Sequence, residues 1–259
     1  PPCTELIIKY KIPDVVVGCK DLYSKVSGKG IQSMHESGIN VRVGVLNDKC
    51  IESLKRFFTF HKKKRPYIIL KWAETKDGFI APTTQKVGEP LWITSIASKT
   101  LVHKWRSQES SILIGTNTAK LDNPSLTVRL WNGNNPLRIV IDKNLKLNNC
   151  LNIFNKSSNT LIFNSLKNLI VDNIEYCMID FKLFHQEILK TLYGKGVHSI
   201  IIEGGRETLQ SFIDMDLWDE ARVFIGNQIL ENGIDAPKIN EKHKTEEIIS
   251  TDLLKRYRK

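Results

Sequence analysis

Short, nearly continuous apolar runs alternate with amphipathic stretches over most of the chain. Such runs are typical of strands that are covered on both faces of a sheet, whereas half-exposed strands alternate apolar and polar residues. Beyond Pro66 we predict six strands, at 67–73, 111–115, 137–142, 160–163, 199–203 and 220–225. Between them, apolar residues share one helical face in the stretches 98–107, 184–193 and 207–215. This alternation predicts an α/β domain with a mainly parallel sheet flanked by helices.

The chain before Pro66 shows the same alternation on a smaller scale. It predicts two strands and two helices: strands at 14–18 and 40–45, one helix that Gly38 ends and one that runs through Phe58. The basic run 61–65 and Pro66 follow, and a proline disfavours helix in the residue before it. We therefore predict two domains, 1–62 and 66–259.

Composition places the protein among ordinary globular chains. Of its 259 residues, 41% are hydrophobic and 25% are charged, which disfavours disorder. No apolar run approaches the ~18–20 residues that cross a bilayer, and no signal peptide is visible at the start. The five cysteines are scattered and odd in number, which favours reduced thiols in a cytoplasmic protein.

Part of the net charge of +10 is concentrated in the runs 61–65 and 255–259. We interpret these runs as a solvated linker and a solvated tail, and the polar stretch 144–158 as a surface loop. A positive field also attracts an anionic substrate or a phosphorylated cofactor. Nucleic-acid binding is disfavoured, because no aromatic residues interleave the basic run as a stacking surface requires.

Ligands of open α/β sheets bind at the carboxyl ends of the strands, and three predicted strand ends carry polar residues. The first contains Lys71, which lies inside an otherwise apolar strand and needs an anionic partner there, such as a carboxylate or a ligand phosphate. The second follows Gly115, where hydroxyl and amide side chains can hold phosphate, or simply cap a helix at Thr116 or Asn117.

The third strand end is Glu203-Gly204-Gly205, and a helix is predicted directly after it. Two glycines permit close approach of the backbone, and a helix start aims N–H groups at an anion, although a plain strand–turn–helix junction has the same pattern. G-x-G-x-x-G appears nowhere, which disfavours an ordinary Rossmann dehydrogenase. The six histidines show no metal-ligand spacing, and only His103 falls near a predicted site.

Five blocks stand in a fixed order beyond Pro66: Lys71-Trp72-Ala73 with Asp77-Gly78; Trp92-Ile93-Thr94-Ser95 with Val102-His103 and Arg106; Thr118, Asp122, Asn123-Pro124, Leu126, Thr127 and Arg129; 136–142; and Glu203-Gly204-Gly205. In this order they resemble the family of bifunctional riboflavin biosynthesis proteins, in which a pyrimidine deaminase is fused to a reductase. A single block would be weak evidence, whereas five in order are highly specific.

The resemblance implies a reductase domain with a fold similar to dihydrofolate reductase. This domain would use NADPH to reduce 5-amino-6-(5-phosphoribosylamino)uracil to its ribitylamino form. The implied substrate-binding residues are Arg106, Leu126, Arg129 and Glu203. The implied cofactor-binding residues are Glu74, Trp92, Thr118, Asp122, Lys143, Gly205, Arg206 and Glu207. Lys71 and Glu203 are the candidates for catalytic residues, and no general base is obvious.

The first residues, Pro1-Pro2-Cys3, resemble the end of a deaminase zinc motif, with Cys3 in the place of its last ligand. Residues 1–62 would then be the C-terminal remnant of an α/β domain similar to cytidine deaminase. One cysteine cannot complete a three-ligand zinc site, so we do not expect this chain as given to deaminate. An intact parent is expected to bind zinc and deaminate, and the family's tendency to self-associate predicts a homo-oligomer.

Several positions depart from the family pattern. Pro90 stands in place of a serine, Asn227 and Glu231 replace the usual proline and closing glycine, and Glu74 and Thr75 differ near the first strand. Two other functions remain open. One is reduction of dihydrofolate on the same scaffold, which the Arg106 and Arg129 pair disfavours because it suits a phosphorylated substrate. The other is a basic RNA-binding module, whose binding would fall steeply with salt.

Overall fold

The computed structural model describes residues 3–20 and 28–259. The chain divides into two compact units, Pro1–Arg65 and Pro66–Lys259. The predictions that rest on Pro1 and Pro2 lie outside the described residues. Among the described residues, no helix is both long and apolar enough to cross a membrane.

The first unit contains two paired strands and four helices among its described residues: α1 (Cys3–Lys9), β1 (Asp14–Val17), α2 (Lys29–Glu36), β2 (Asn40–Val43), α3 (Asn47–Ser53) and α4 (Lys55–Lys63). The two strands are parallel. A small core of Met34, Ile39 and Val41 packs between strand and helix. The prediction of one continuous helix through Phe58 is wrong in one respect. The helix is interrupted between α3 and α4 at Leu54, whose φ of −101° and ψ of 12° lie outside the helical region.

The basic run of this unit is not the solvated linker that its charge predicts. His61, Lys62 and Lys63 form the last turn of α4, and Lys64 ends the helix in a left-handed conformation with φ 55°. Cations are favoured at this position, because the carbonyl groups at the carboxyl end of a helix carry a partial negative charge. Charge alone therefore did not distinguish a linker from a helix end.

Residues 66–259 form a ten-stranded sheet with four helices and a small two-stranded ribbon. The strands are β3 (Tyr67–Glu74), β4 (Phe79–Ala81), β5 (Ser111–Ile114), β6 (Leu137–Ile141), β7 (Thr160–Asn164), β8 (Leu169–Val171), β9 (Ile174–Met178), β10 (Ser199–Ile202), β11 (Glu220–Ile225), β12 (Ile234–Asp235), β13 (Thr245–Ile249) and β14 (Asp252–Arg258). The helices are α5 (Ile96–Gln108), α6 (Thr116–Asp122), α7 (Phe184–Gly194) and α8 (Arg206–Asp214).

The sheet order is β13-β14-β11-β3-β10-β5-β6-β7-β9-β8, and the ribbon pairs β12 with β4. From β11 to β9 every neighbouring pair is parallel, and antiparallel strands lie only at the two edges. The predicted α/β class with a mainly parallel sheet flanked by helices is confirmed. All six predicted strands are present, at β3, β5, β6, β7, β10 and β11.

Both faces of the sheet are buried, which explains the continuous apolar runs. Along β3, Ile68 and Leu70 point into one core, together with residues of α7 and α8. Tyr67 and Ile69 point into a second core on the other face, together with residues of α5 and α6. Because successive side chains of a strand alternate between faces, a strand between two cores must be apolar at every position.

The solvated tail predicted at 255–259 is wrong, because these residues belong to β14, which pairs with both β11 and β13. Leu254 is fully buried against the sheet, whereas Lys255 and Arg256 pair with Glu246 and Glu247 on β13. The strand carries basic residues at Lys255, Arg256 and Arg258, and this cluster of charge is what predicted a solvated tail.

The predicted surface loop 144–158 is partly wrong, because it is anchored to the body of the domain. Arg138 on β6 is fully buried, and its Nη2 donates to the carbonyl groups of Asn155 (2.7 Å) and Ser158 (2.6 Å). Ile153, within a short 3₁₀ turn, is also fully buried. A buried guanidinium requires such acceptors, and here the polar loop supplies them.

Candidate active site

A cleft of about 1040 Å³ opens at the carboxyl ends of β3, β5 and β10. Its lining includes nine residues predicted from the sequence: Lys71, Trp92, Thr118, Asp122, Lys143, Glu203, Gly205, Arg206 and Glu207. Four other predicted residues, Glu74, Arg106, Leu126 and Arg129, do not line it. The cleft thus lies where ligands bind in open α/β sheets.

The floor of the cleft is made by two strand–helix junctions that touch each other. A Cβ added to Gly204 would lie 2.6 Å from the backbone nitrogen of Gly115, so only glycine permits this approach. The Gly205 N–H donates to Thr118 Oγ1 at 2.7 Å. The start of α8 is therefore tied to α6, and the Thr118 hydroxyl already has a partner within the protein.

The helix cap predicted at Thr116 or Asn117 is wrong in detail. Gly115 occupies the N-cap position of α6 and makes no side-chain capping bond. The Thr116 hydroxyl instead donates to the carbonyl of Ile141 at 2.5 Å, which ties α6 to the end of β6.

A buried cluster of charges lies at the end of β10. Arg106 Nη2 lies 2.6 Å from Glu203 Oε2, and the two side chains are 12% and 10% exposed. Burial would raise the pKa of Glu203, but the charges of Arg106 and Lys71 outweigh it and hold that pKa below its usual value. Burial lowers the pKa of Lys71, and the nearby Glu203 carboxylate opposes this effect. Lys71 thus has the anionic partner that its place in the strand requires.

The loop after α6 adds a further cation, Arg129, beside this cluster. Arg129 is exposed, and its Nη1 donates to Thr127 Oγ1 at 3.1 Å. Its backbone N–H donates to His103 Nδ1 on α5 at 3.0 Å. Burial and the charge of Arg106 lower the pKa of the Arg129 guanidinium. Leu126 buries its side chain in the core at 2% exposure, which leaves only its backbone for a ligand.

Other residues of the lining are those predicted to hold the cofactor. Arg206, the first residue of α8, has a buried Nε without a hydrogen-bond partner among the described residues. Trp92 is 56% exposed, and Lys99 Nζ lies 3.2 Å from the centroid of its ring. Asp122 Oδ1 accepts from Gln85 Nε2 at 2.7 Å, and burial raises the pKa of this carboxyl. Lys143 is exposed beside the Phe181 ring, 5.5 Å from its centroid.

Residues 66–239 match the model of the RibD C-terminal domain family. The chain belongs to the RibD C-terminal domain family. It is 35% identical over 240 residues to the riboflavin biosynthesis protein RibD of Aquifex aeolicus, and 32% identical over 249 residues to that of Bacillus amyloliquefaciens. These alignments cover 90% and 92% of the chain but 67% and 66% of the relatives, so the chain spans about two thirds of their length. The resemblance found in the sequence is confirmed.

Solved structures agree with this assignment. The crystal structure of a diaminohydroxyphosphoribosylaminopyrimidine deaminase/5-amino-6-(5-phosphoribosylamino)uracil reductase from Thermotoga maritima superposes with a TM-score of 0.88 at 31% identity. The superposition covers 100% of this chain and 74% of the Thermotoga chain. The riboflavin biosynthesis reductase of Saccharomyces has a TM-score of 0.59 at 18% identity over 80% of this chain and 99% of its own, and shows a shared fold only.

Two departures from the RibD pattern have clear structural consequences. Glu231 has φ 62°, a left-handed conformation that favours glycine. Thr75 is fully buried, and its hydroxyl donates to Asp77 Oδ1 at 2.6 Å and accepts from the Phe79 N–H at 3.0 Å. Thr75 therefore shapes the turn at Asp77-Gly78, which the Asp77 carboxylate also ties to the backbone of Glu231 at 2.8 Å.

Of the two further departures, one lies in the lining of the cleft and the other outside it. Pro90 lines it, so a ring replaces the family's hydroxyl there. Glu74 lies outside the lining, and its carboxylate accepts from Trp72 Nε1 at 2.8 Å. Burial raises the pKa of Glu74, although that hydrogen bond opposes the shift.

The cleft also contains residues that no sequence motif indicated. Gln85, Phe181, Phe184 and His185 line it, and His185 Nε2 lies 3.0 Å from Ser211 Oγ on α8. These residues lie outside the recognised blocks, on segments that reach the cleft only through folding. No signal in a single sequence distinguishes them from ordinary surface positions.

Cys3, the predicted zinc ligand, lies exposed in the first turn of α1. Within 3–20 and 28–259, no group of three histidine, cysteine or acidic side chains could hold a metal ion. The described residues by themselves do not fit a zinc centre.

Proposed function

We propose that this RibD C-terminal domain reduces 5-amino-6-(5-phosphoribosylamino)uracil to 5-amino-6-(5-phosphoribitylamino)uracil with NADPH, in riboflavin biosynthesis. The observation that carries this proposal is the buried cluster of Lys71, Arg106 and Glu203 at one side of a cleft whose floor is a glycine-lined helix start. Similarity to the reductases named above supports the same reaction.

The wall around α8 fits a phosphorylated dinucleotide. Arg206 offers a buried Nε without a partner among the described residues, and the start of α8 presents backbone N–H groups. Lys143 adds a positive charge at the rim, and Trp92 an exposed aromatic face. These residues would hold NADPH, which supplies a hydride when bound.

The cations on the other side fit the phosphate of the substrate. Arg129 is exposed, and a guanidinium forms paired hydrogen bonds with phosphate oxygens. Burial lowers the pKa of Lys99, and the charge of Arg129 acts in the same direction. Arg106 is already engaged by Glu203, so we assign it to holding that carboxylate and not to the phosphate.

Reduction at C1′ of the ribose adds a hydride to that carbon and breaks its bond to the ring oxygen. The ring oxygen then needs a proton to become the hydroxyl of the ribityl chain. We assign this proton to Lys71 Nζ, because burial lowers the pKa of the ammonium group and so favours its release. Glu203, ionised beside it, would orient Lys71 and accept hydrogen bonds from polar substrate atoms.

The test is oxidation of NADPH, followed at about 340 nm, with the phosphoribosylaminouracil as substrate. Wild type is compared with Glu203→Ala, Lys71→Met and Arg129→Ala. We expect kcat to collapse in the first two, and KM for the substrate to rise in the third. Glu175→Ala, on the distant strand β9, is the matched control and should retain full activity. Absence of NADPH binding to the wild type would overturn the proposal.

The same assay separates the rival functions. Turnover of dihydrofolate that is faster than that of the phosphorylated substrate would replace the proposal with dihydrofolate reduction. Binding to RNA that falls steeply with salt and is unchanged by Glu203→Ala would favour a nucleic-acid-binding module. Zinc-dependent deamination by an intact parent, and self-association into a homo-oligomer, remain predictions from the sequence.

A further inference from the structure

His103 lies between the charged cluster and the loop that carries Arg129. It is 3% exposed on the inner face of α5, one helical turn before Arg106. Its Nδ1 accepts the backbone N–H of Arg129 at 3.0 Å. The imidazole thus joins the helix to the residue assigned above to the substrate phosphate.

The loop on the far side of this bond has no regular secondary structure to hold its shape. Leu126 takes a left-handed conformation with φ 54°, and the N–H groups of Val128 and Arg129 are both bonded to side chains. Val128 donates to Asn135 Oδ1 at 2.8 Å, which is an acceptor within the same loop. His103 is the acceptor that connects the loop to α5, so it sets the distance between Arg129 and the helix.

The bond requires a neutral imidazole with Nδ1 unprotonated. Burial lowers the pKa of His103 to about 4, and the charges of Arg106, Arg129 and Lys99 act in the same direction. Glu203 opposes them, but its charge is compensated by its own ion pair with Arg106. The imidazole therefore stays an acceptor throughout the neutral pH range.

We propose that His103 is a positioning residue, which fixes the backbone at Arg129 so that the guanidinium meets the phosphate of the substrate. This inference rests on the proposed function. An ordinary buried histidine would contribute to stability alone. Here the hydrogen bond from α5 to the loop ends on the residue with the exposed guanidinium, so a change at His103 is expected to alter phosphate binding.

The variants separate the hydrogen bond from the volume of the side chain. His103→Asn places its amide oxygen near the position of Nδ1 and keeps an acceptor, whereas His103→Leu fills similar space without one. His103→Gln places its amide too far along the side chain and should behave like His103→Leu. Lys104→Met is the control on the same helix, since Lys104 contacts Trp131 of the same loop, 5.0 Å from its ring centroid.

Steady-state kinetics are measured with the phosphorylated substrate and with its dephosphorylated analogue. We expect His103→Leu to raise KM for the phosphorylated substrate about tenfold, the effect of a lost buried acceptor, with little change in KM for NADPH. His103→Asn and Lys104→Met should stay within about threefold of wild type. For the dephosphorylated analogue, His103→Leu and wild type should be equal.

A double-mutant cycle completes the test. If His103 acts through Arg129, the variant His103→Leu/Arg129→Met binds the phosphorylated substrate no worse than Arg129→Met alone. Additive losses, or equal losses with both substrates, would overturn the positioning role. If the wild type is active, and Arg129→Met weakens binding of the phosphorylated substrate while His103→Leu and His103→Gln do not, this inference alone is overturned. A wild type without reductase activity overturns the proposed function and this inference together.

Discussion

Arg106 on α5 and Glu203 at the end of β10 form a nearly buried ion pair, with Arg106 Nη2 2.6 Å from Glu203 Oε2 and Arg106 Nε 3.4 Å from Oε1. The charge of Lys71 on β3 also lowers the pKa of this carboxyl, so one anion faces two cations. Three elements that are distant in the sequence therefore meet at one carboxylate. Removing either partner of the pair would leave a nearly buried charge without its counter-charge.

Glu203→Gln should lower the free energy of unfolding by about 3 kcal/mol, because it leaves two cations without their buried counter-charge. Urea unfolding of both proteins at pH 7 measures the difference. Glu175→Gln removes the partner of Lys195 in an ion pair of 2.7 Å whose side chains are 34% and 35% exposed. That control should change stability by less than about 1 kcal/mol, and equal losses in the two variants would contradict the special role of Glu203.

Gly204→Ala should damage both the fold and the cleft. The new Cβ would meet Gly115 N at 2.6 Å and Ile114 Cα at 2.9 Å, which are backbone atoms that cannot turn aside. We expect a loss of about 1–3 kcal/mol of stability and weaker binding of NADPH. Gly194→Ala is the control, because nothing lies within 4 Å of its added Cβ, and it should leave stability unchanged or raise it slightly. Thermal melting measures the loss of stability, and titration with NADPH measures the weaker binding.

Glu231→Gly should stabilise the protein, since Glu231 has φ 62° and a left-handed backbone is unfavourable for any residue with a Cβ. Glycine has greater conformational freedom in the unfolded chain, and after this entropic cost is subtracted the free energy of unfolding rises by about 0.5–1 kcal/mol. Glu241→Gly, at an exposed position outside the left-handed region, provides the comparison and should be neutral or destabilising. A higher melting temperature only for the first variant is the expected result.

The stability of the protein should fall between pH 7 and pH 5 partly through His103. Its pKa is lowered from 6.5 to about 4 in the folded protein, first by burial and then by the neighbouring cations. In this window the unfolded chain binds more protons than the folded one, so acid favours unfolding, by about 2 kcal/mol over the two pH units. His103→Asn should remove this part of the pH dependence. If stability depends on pH identically in the two proteins, His103 binds its proton as readily in the folded protein as in the unfolded chain.

The accuracy of the sequence-based prediction follows from how each segment is buried. Strands such as β10, buried on both faces, have continuous apolar runs that no surface segment imitates. The edge strands β8 and β13 were missed, because exposure on one side allows many residue types. Strand β14, which lies between β13 and β11, was missed for another reason: its basic residues were interpreted as a solvated tail, whereas Lys255 and Arg256 pair with acidic residues of the preceding strand β13.

By itself, the sequence determined the α/β class, the family, and nine residues that line the cleft, because apolar runs, glycine turns and the five ordered blocks are local features of the chain. Only the tertiary structure decided that Arg106 holds Glu203, that Leu126 packs into the core and that His103 supports Arg129. Each of these contacts joins segments that are separate along the chain. Their distances depend on how the helices pack on the sheet, and the pattern of residues within one segment does not contain that information.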